Sequence, residues 1–181
     1  MDLSQAEQLA HNTVRIECDL PSGGMSTGTG FFYSLNEKEG QHTPVIITNK
    51  HVIEGASKGR FILTLQNSNG GPKIGTSHGF EIDNFQSFWH PHPDASVDLC
   101  AMPIAPLLRL AEQKGEKIFY ITLNKSLIPT ASEIDDMMGM EKITMVGYPN
   151  GLWNKSTTCL FFAKACWLLT TNEIGMVKKS F

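Results

Sequence analysis

The sequence predicts an all-β fold made of short antiparallel strands. Sixteen glycines and nine prolines are spread along its 181 residues, which suits a chain with many turns better than one with long helices. Several segments alternate apolar and polar residues with a period of two, and turn signals separate these segments at short intervals. No convincing long helix interrupts the strands in the first part of the chain, so we expect them to form an antiparallel barrel.

The clearest strand lies in residues 43–56 and leads into a histidine. Pro44 opens this stretch, a β-branched run at residues 45–47 follows, and Gly55 closes it, as in a buried strand bounded by residues that break regular structure. His51 stands near its end. We expect the last residues of the strand to hold this imidazole still at the edge of a cleft, which is what a general base requires.

The other elements are predicted from the same signals. Residues 13–18 are expected to form a half-exposed strand, since Val14, Ile16 and Cys18 fall on one face and charged residues on the other. Further strands are predicted at 28–35, 60–66, 97–103 and 142–147, with a weaker one at 81–89 and either a strand or an extended connection at 119–123. The remaining predictions are a short helix or arm at 2–11, a brief helical turn at 107–115, a charged loop at 36–42, and turns at 21–24, 67–71 and 148–151.

Charge and hydropathy argue against two kinds of partner. The formal net charge is −3, so no basic field indicates a nucleic acid and no polybasic run indicates a membrane surface. No apolar run approaches the roughly 18 residues that a membrane span needs. Residues 1–12 lack a basic segment followed by an apolar one, so no signal peptide is predicted and the cytoplasm is expected. The four cysteines show no metal or redox spacing and are expected to be free buried thiols: Cys18, Cys100, Cys159 and Cys166.

Asp98 is the second candidate for a chemical role. It lies among apolar residues, between Val97 and Leu99, so a buried carboxylate there would need a partner to offset its desolvation. An imidazole is a natural partner, because in a catalytic triad the carboxylate fixes the tautomer of the histidine and stabilises its protonated form. The alternative is an aspartate at a strand edge, capped by backbone amides.

Two segments resemble chymotrypsin-like serine peptidases. The run Gly-Thr-Gly-Phe-Phe-Tyr at 28–33 is similar to the Gly-x-Gly-Phe strand of that family, and Thr48–Val52 is similar to its Thr-x-x-His-Val segment. The spacing of 47 positions from His51 to Asp98 and the text Val-Asp-Leu also resemble the family. Residues 143–153 resemble the opening of the second barrel in bacterial trypsin-like members, so the resemblance covers about residues 13–153.

This resemblance implies a chymotrypsin-like double β-barrel with the catalytic cleft between the barrels. The first barrel would be complete in residues 1–130 and would carry His51 and Asp98, and the second would only begin in 131–157, after a boundary near 129–136. His51 would act as general base and acid and Asp98 would orient it, with a peptide or protein as substrate. The resemblance implies no metal and no other cofactor, and it places the specificity pocket in the second barrel. The pair His90 and His92 is expected to be a surface loop rather than a metal site.

The family's nucleophile is missing from the expected place. That serine stands in a Gly-x-Ser-Gly context, and no serine after Asp98 has a glycine neighbour: Ser126, Ser132, Ser156 and Ser180. Two Gly-x-Ser-x-Gly matches occur, around Ser26 and Ser57, but such an elbow needs a strand before it and a helix after it. Both are expected to belong to turns. The resemblance thus implies a trypsin-like peptidase, and the missing serine implies that this chain is inactive alone.

The end of the chain suggests how the serine was lost. Residues 158–181 no longer resemble the family and show neither strand alternation nor a helix stripe. When the reading frame is shifted, codons in this region can encode an amino-acid sequence similar to that of the family, so we interpret the tail as out of frame. The alternative is a divergent C-terminal strand pair.

Two other interpretations of the whole chain remain. It could be a non-catalytic binding module that keeps the barrel without the chemistry. It could also be a truncated pseudogene product, which predicts poor solubility because half a barrel leaves strand edges and an apolar face open.

Overall fold

The computed structural model describes residues 3–38, 41–136, 140–148 and 161–168, and side chains are not described at 36–38, 41, 135, 140–143 and 161–168. Most of its regular structure is β-strand. The elements in chain order are α1 (Gln5–Asn12), β1 (Thr13–Asp19), β2 (Met25–Lys38), β3 (Gln41–Thr48), α2 (Lys50–Ile53), β4 (Lys58–Gln66), β5 (Pro72–Asp83), a 3-10 turn (Phe85–Phe88), β6 (His90–Pro91), β7 (Cys100–Pro103), α3 (Ala105–Gln113), a second 3-10 turn (Lys125–Leu127), α4 (Ala131–Asp135), β8 (Met140–Gly147) and β9 (Phe161–Leu168).

Seven strands form one antiparallel sheet in the order β5-β4-β1-β2-β3-β7-β6. This confirms the prediction of antiparallel β-structure in the first part of the chain. Among the described residues, strand pairing does not close the sheet, because no ladder joins β5 to β6. Among the described strands, β8 and β9 pair with each other in a separate two-stranded sheet.

Strand β1 has the alternation that its sequence predicts. Val14, Ile16 and Cys18 are buried, and the residues between them are partly exposed. In the ladder with β2, Val14 lies opposite Gly30. A Cβ atom on Gly30 would lie only 2.7 Å from the side chain of Ile46. The glycine therefore lets the inward side chains of β1 and β3 fill the space over the centre of β2.

Strand β4 also follows its sequence pattern. Phe61, Leu63 and Leu65 are buried, and the intervening Ile62 is 64% exposed. Its partner β5 was predicted only in part, as a weak strand at 81–89. Much of β5 is exposed and lacks apolar alternation, so pairing with β4 and not a local signal makes it a strand. Residues 85–88 of the predicted strand form a 3-10 turn instead.

The 3-10 turn after β5 delivers a fully buried aromatic ring to the core. Phe85 is fully buried, and its ring lies over Gly59 of β4, where an added Cβ would approach ring atoms to 2.2 Å. Trp89 is also buried and meets Phe85 edge-on, with ring centroids 5.6 Å apart. These two rings fill the core at the point where the chain passes from one edge strand of the sheet to the other.

The helices agree only approximately with the predicted helical segments. Helix α1 matches the helix predicted at 2–11 and begins with a capping box between Ser4 and Glu7. Helix α3 is longer than the brief turn expected at 107–115 and begins with a proline in its first turn. Helix α4 lies in the predicted boundary segment 129–136 and has its own capping box. In the described part of the chain, no helix is both long and apolar enough to cross a membrane.

The end of the chain differs from its prediction. Strand β8 confirms the strand predicted at 142–147, but its partner β9 lies where the sequence showed no strand alternation. The ladder runs from Met140↔Leu168 to Gly147↔Phe161, which is the arrangement expected of a C-terminal strand pair. The tail prediction for residues 158–160 and 169–181, and the turn after Tyr148, lie outside the described residues.

Two cysteines have the state that the sequence predicts. Cys18 and Cys100 are free and buried. Burial raises the pKa of the Cys18 thiol to about 12 and that of Cys100 to about 11. Both thiols therefore stay protonated near neutral pH and act as small apolar side chains. Cys159 lies outside the described residues, and the side chain of Cys166 is not described.

Candidate functional site

His51 lies on a helical turn and not on the end of a strand. Strand β3 ends at Thr48, and α2 follows as a single turn in which His51 is the second residue. The prediction of a strand-borne imidazole is therefore wrong in its element, although His51 stays within three residues of the strand. The β-branched residues Val52 and Ile53 favour a strand locally, but in the structure they face the core from a helix.

Packing beneath α2 fixes this turn to the sheet. Val52 and Ile53 are about 95% buried, at 4% and 5% exposure. A Cβ atom on Gly28 would lie 2.5 Å from a Val52 methyl group, so only glycine at position 28 leaves room for this side chain. Thr48, just before the turn, donates a hydrogen bond from its hydroxyl to the backbone oxygen of Thr29 at 3.0 Å. The His51 backbone is thus anchored although its ring points outward.

Asp98 lies in a loop just before β7, and its side chain is 47% exposed. The predictions of a strand at 97–103 and of a buried carboxylate are therefore wrong at this residue. The ladder between β3 and β7 starts with Thr48↔Cys100, where β3 ends, so no strand is available to pair with Asp98. The residue emerges beside the turn that carries His51.

The two candidate residues are in contact. His51 Nδ1 lies 2.5 Å from Asp98 Oδ2, and the backbone N–H of His51 donates to Asp98 Oδ1 at 3.2 Å. Both carboxylate oxygens are therefore engaged by one residue. The side-chain hydrogen bond from His51 is the main cause that holds the pKa of Asp98 below its usual range, with help from the backbone N–H groups of Lys50 and His51. The imidazole partner and the backbone cap, considered as alternatives from the sequence, are both present.

The contact determines which ring nitrogen can react. With the carboxylate at Nδ1, the neutral ring carries its proton there and keeps a lone pair on Nε2. The His51 side chain is 68% exposed, so Nε2 is open to a molecule arriving from solvent. The arrangement can accept a proton at Nε2 while the carboxylate stabilises the resulting imidazolium.

The serines considered from the sequence lie in other elements than His51 where the structure describes them. Ser26 is part of β2 and lies opposite Cys18, so the turn predicted for it is wrong. The Ser57 hydroxyl donates to the backbone oxygen of Asp19 at 3.0 Å, as expected in a turn. The Ser126 hydroxyl donates to the side chain of Asn124, and Ser132 lies in α4. Ser156 and Ser180 fall outside the described residues.

The two histidines expected in a surface loop lie in and just after β6, an edge strand of the seven-stranded sheet. His90 is in β6, and His92 Nδ1 accepts a hydrogen bond from the Asp94 backbone at 3.1 Å. Within the described ranges, no group of three or more His, Cys, Asp or Glu side chains is arranged to hold a metal ion.

Two features of the structure, one beside the dyad and one similar to it, were not predicted from the sequence. Asn49 and Lys50 both contact the loop that carries Asp98. A favoured N-cap residue two positions before the histidine could have drawn attention to Asn49. A second histidine–carboxylate pair joins His78 to Glu116. These two residues are 38 positions apart, and only the folded structure brings them together.

Comparisons with known proteins do not identify this chain. Neither the protein-family models nor the curated proteins returned a match. The functional interpretation therefore depends on the geometry of the site and on the motifs that led to it.

Proposed function

We propose that His51 and Asp98 are the base and the orienting acid of a trypsin-like serine peptidase, and that the seven-stranded sheet is the first barrel of a chymotrypsin-like double barrel. The observation that carries this proposal is the contact of 2.5 Å between His51 Nδ1 and Asp98 Oδ2, with the opposite side of the ring open to solvent. In the described part of the chain it joins the same two residues that the family resemblance pairs.

Exposure distinguishes this pair from the other histidine–carboxylate pair. The His78 side chain is only 12% exposed and its ring packs against Phe80, with centroids 4.6 Å apart. That imidazole is much less accessible to a substrate, and its pairing with Glu116 connects β5 to the segment after α3. The His51 ring, at 68% exposure, has the access that proton transfer to a substrate requires.

The connection between the edge strands supports a curled, barrel-like sheet. Six gaps separate β5 from β6 in the strand order, so the two edges of a flat sheet would lie about 29 Å apart. His90 follows Asp83 by only seven positions, and seven residues span at most about 25 Å when fully extended. Four of these residues form a 3-10 turn, which shortens the reach further. The end of β5 at Asp83 and the start of β6 at His90 therefore lie closer together than in a flat sheet, which supports the proposed barrel.

The proposed chemistry is acyl transfer to a serine followed by hydrolysis. His51 Nε2 would take the proton from the serine hydroxyl during attack on the peptide carbonyl and would return it to the leaving amine. Asp98 would hold the ring and stabilise its charged form throughout. The serine and its oxyanion hole would have to come from a segment with a Gly-x-Ser-Gly run, which these 181 residues do not contain after Asp98.

A non-catalytic binding module is the second candidate function. The observation in its favour is that one hydrophobic cluster, extending from Val14 to Ile118, fills the core of the seven-stranded sheet. The buried members of this cluster all precede residue 119, so the proposed module has a core of its own that does not depend on the missing catalytic segment. It predicts a cooperative thermal transition, which an unfolded pseudogene product would lack.

Labelling with a serine-directed phosphonate tests the proposed function. We expect the purified 181-residue chain to hydrolyse no peptide and to take up no label, because it lacks an activated serine. We also expect the DNA beyond codon 153 to encode a Gly-x-Ser-Gly segment in another frame. The chain with that frame restored should be labelled on that serine.

Three results would contradict the proposal. Labelling of any serine in the 181-residue chain would mean that the nucleophile has been misplaced. A downstream sequence without a Gly-x-Ser-Gly segment in any frame would remove the explanation of the tail. A frame-restored chain that folds but takes up no label would favour the binding module.

A further inference from the structure

We propose that Asn49 is a positioning residue of the His51–Asp98 pair: its side-chain amide holds the main-chain oxygen of Asp98 and so keeps that carboxylate against the imidazole. This inference deepens the proposed function and depends on it, since it concerns how the same two residues are kept in contact. Asn49 lies directly before α2 and is partly buried.

The Asn49 side chain does not form the capping hydrogen bond expected of an asparagine at a helix N-cap. It occupies the N-cap of α2, where Asn normally accepts a hydrogen bond from the first turn of the helix. Here no side-chain cap hydrogen bond is formed. The amide instead donates to the Asp98 main-chain oxygen at 2.8 Å. Because local capping is given up, the contact across to the loop is the interaction that this side chain makes.

The pair needs such support because both of its members are exposed. At 68% and 47% exposure, the imidazole and the carboxylate compete with water, and exposed ion pairs hold themselves together only weakly. Asp98 also lies outside the β-ladder, which begins at Cys100. The backbone at Asp98 therefore lacks the strand pairing that would fix a residue inside the sheet.

Three consecutive residues hold the two ends of this loop. Asn49 binds the main-chain oxygen of Asp98, Lys50 Nζ binds the main-chain oxygen of Asp94 at 3.1 Å, and His51 binds the Asp98 carboxylate. Between these points the loop forms its own turn, with the Val97 N–H donating to the Asp94 oxygen. The α2 turn and the loop are thus connected at both ends and are expected to move together.

An effect of Asn49 on the pKa of Asp98 can be recognised as indirect, because the Asn49 amide does not contact the Asp98 carboxylate. Its amide donates to the main-chain oxygen of Asp98, whereas the pKa of that carboxyl is lowered by His51 and by the backbone N–H groups of Lys50 and His51. If removal of a neutral amide at position 49 changes the titration of Asp98, the carboxylate must have moved relative to the imidazole. A role limited to helix stability would leave that titration unchanged.

The test compares Asn49→Ser with native protein by NMR. Serine is neutral and can cap α2, but it is too short to reach Asp98. We expect the His51 Nδ1 proton to exchange with water about 2- to 10-fold faster, the change that loss of one hydrogen bond brings, and the pKa of Asp98 to rise toward its ordinary value. Asn49→Gln keeps the amide donor and should restore both signals in part.

A second asparagine provides the matched control. Asn124 accepts a hydrogen bond from the Ser126 backbone at the start of a 3-10 turn far along the chain, so Asn124→Ser should change neither signal. If Asn49→Ser leaves both the proton exchange and the Asp98 titration as in native protein, the positioning role is overturned while the dyad stands. If native protein itself shows no protected Nδ1 proton and no lowered Asp98 pKa, the dyad and the proposed function fail as well.

Discussion

Replacing Asp98 with asparagine in the frame-restored chain is expected to lower peptidase turnover by about 10⁴-fold. In the serine-peptidase triad that serves as the general example, the same exchange preserves the geometry and costs about this factor in kcat. An asparagine amide can donate to Nδ1, so the ring proton moves to Nε2 and this nitrogen can no longer accept the serine proton. The loss corresponds to about 5 kcal/mol of transition-state stabilisation.

Glu116→Gln is the matched control for this experiment. It removes a carboxylate from the other histidine pair, His78–Glu116, by the same isosteric change. We expect kcat to stay close to that of the unsubstituted chain, measured with the same peptide substrate. A loss of less than about 10-fold in Asp98→Asn, or an equal loss in both variants, would contradict the role given to Asp98.

Gly59→Ala is expected to destabilise the folded chain by about 1–3 kcal/mol or more. The added methyl group would lie 2.2 Å from ring atoms of Phe85, which is fully buried. A buried ring cannot give way as the end of a flexible side chain can, so β4 or the 3-10 turn must shift. Urea unfolding should show a lower midpoint with little change in slope.

Gly79→Ala controls for the general effect of alanine in a strand. Gly79 lies in β5, the neighbouring strand, and an added Cβ there would meet no atom within 4 Å. This change should be neutral or stabilise by up to about 1 kcal/mol, because it restricts the unfolded chain. Equal losses in the two variants would show that close packing under Phe85 is not what requires Gly59.

The sequence predicts those strands whose two faces differ strongly. In β1 and β4, alternate residues are apolar and the structure buries them, so period-two patterning specifies both the strand and the face that it turns inward. The contact between His51 and Asp98 was also predicted, because the resemblance to chymotrypsin-like peptidases implies this pair. The two strands and the pair depend on residue types at positions that can be read directly from the sequence.

Other features depend on neighbours that are distant in sequence. The α2 turn packs Val52 against Gly28, and no window around His51 contains that contact. The exposure of Asp98 follows from where the β3–β7 ladder stops. Strand β9 is recognised by its ladder with β8 and not by its own pattern. The Asn49 contact crosses 49 positions of sequence, so it too appears only in the fold.

The central claim is that the imidazole of His51 and the carboxylate of Asp98 are joined in the folded chain. Its most direct test follows the Asp98 carboxyl carbon by NMR through an acid titration of native protein and of His51→Ala. We expect a pKa below the ordinary aspartate value in native protein and a rise toward that value in the variant, because the His51 hydrogen bond is the main cause of the depression. The pair then stabilises the fold above the ordinary aspartate pKa, and this contribution is lost as pH falls through the lowered value.

Asp94, whose pKa is lowered chiefly by Ser96, should titrate identically in both proteins. An Asp98 pKa at the ordinary value in native protein, unchanged in His51→Ala, would contradict the account.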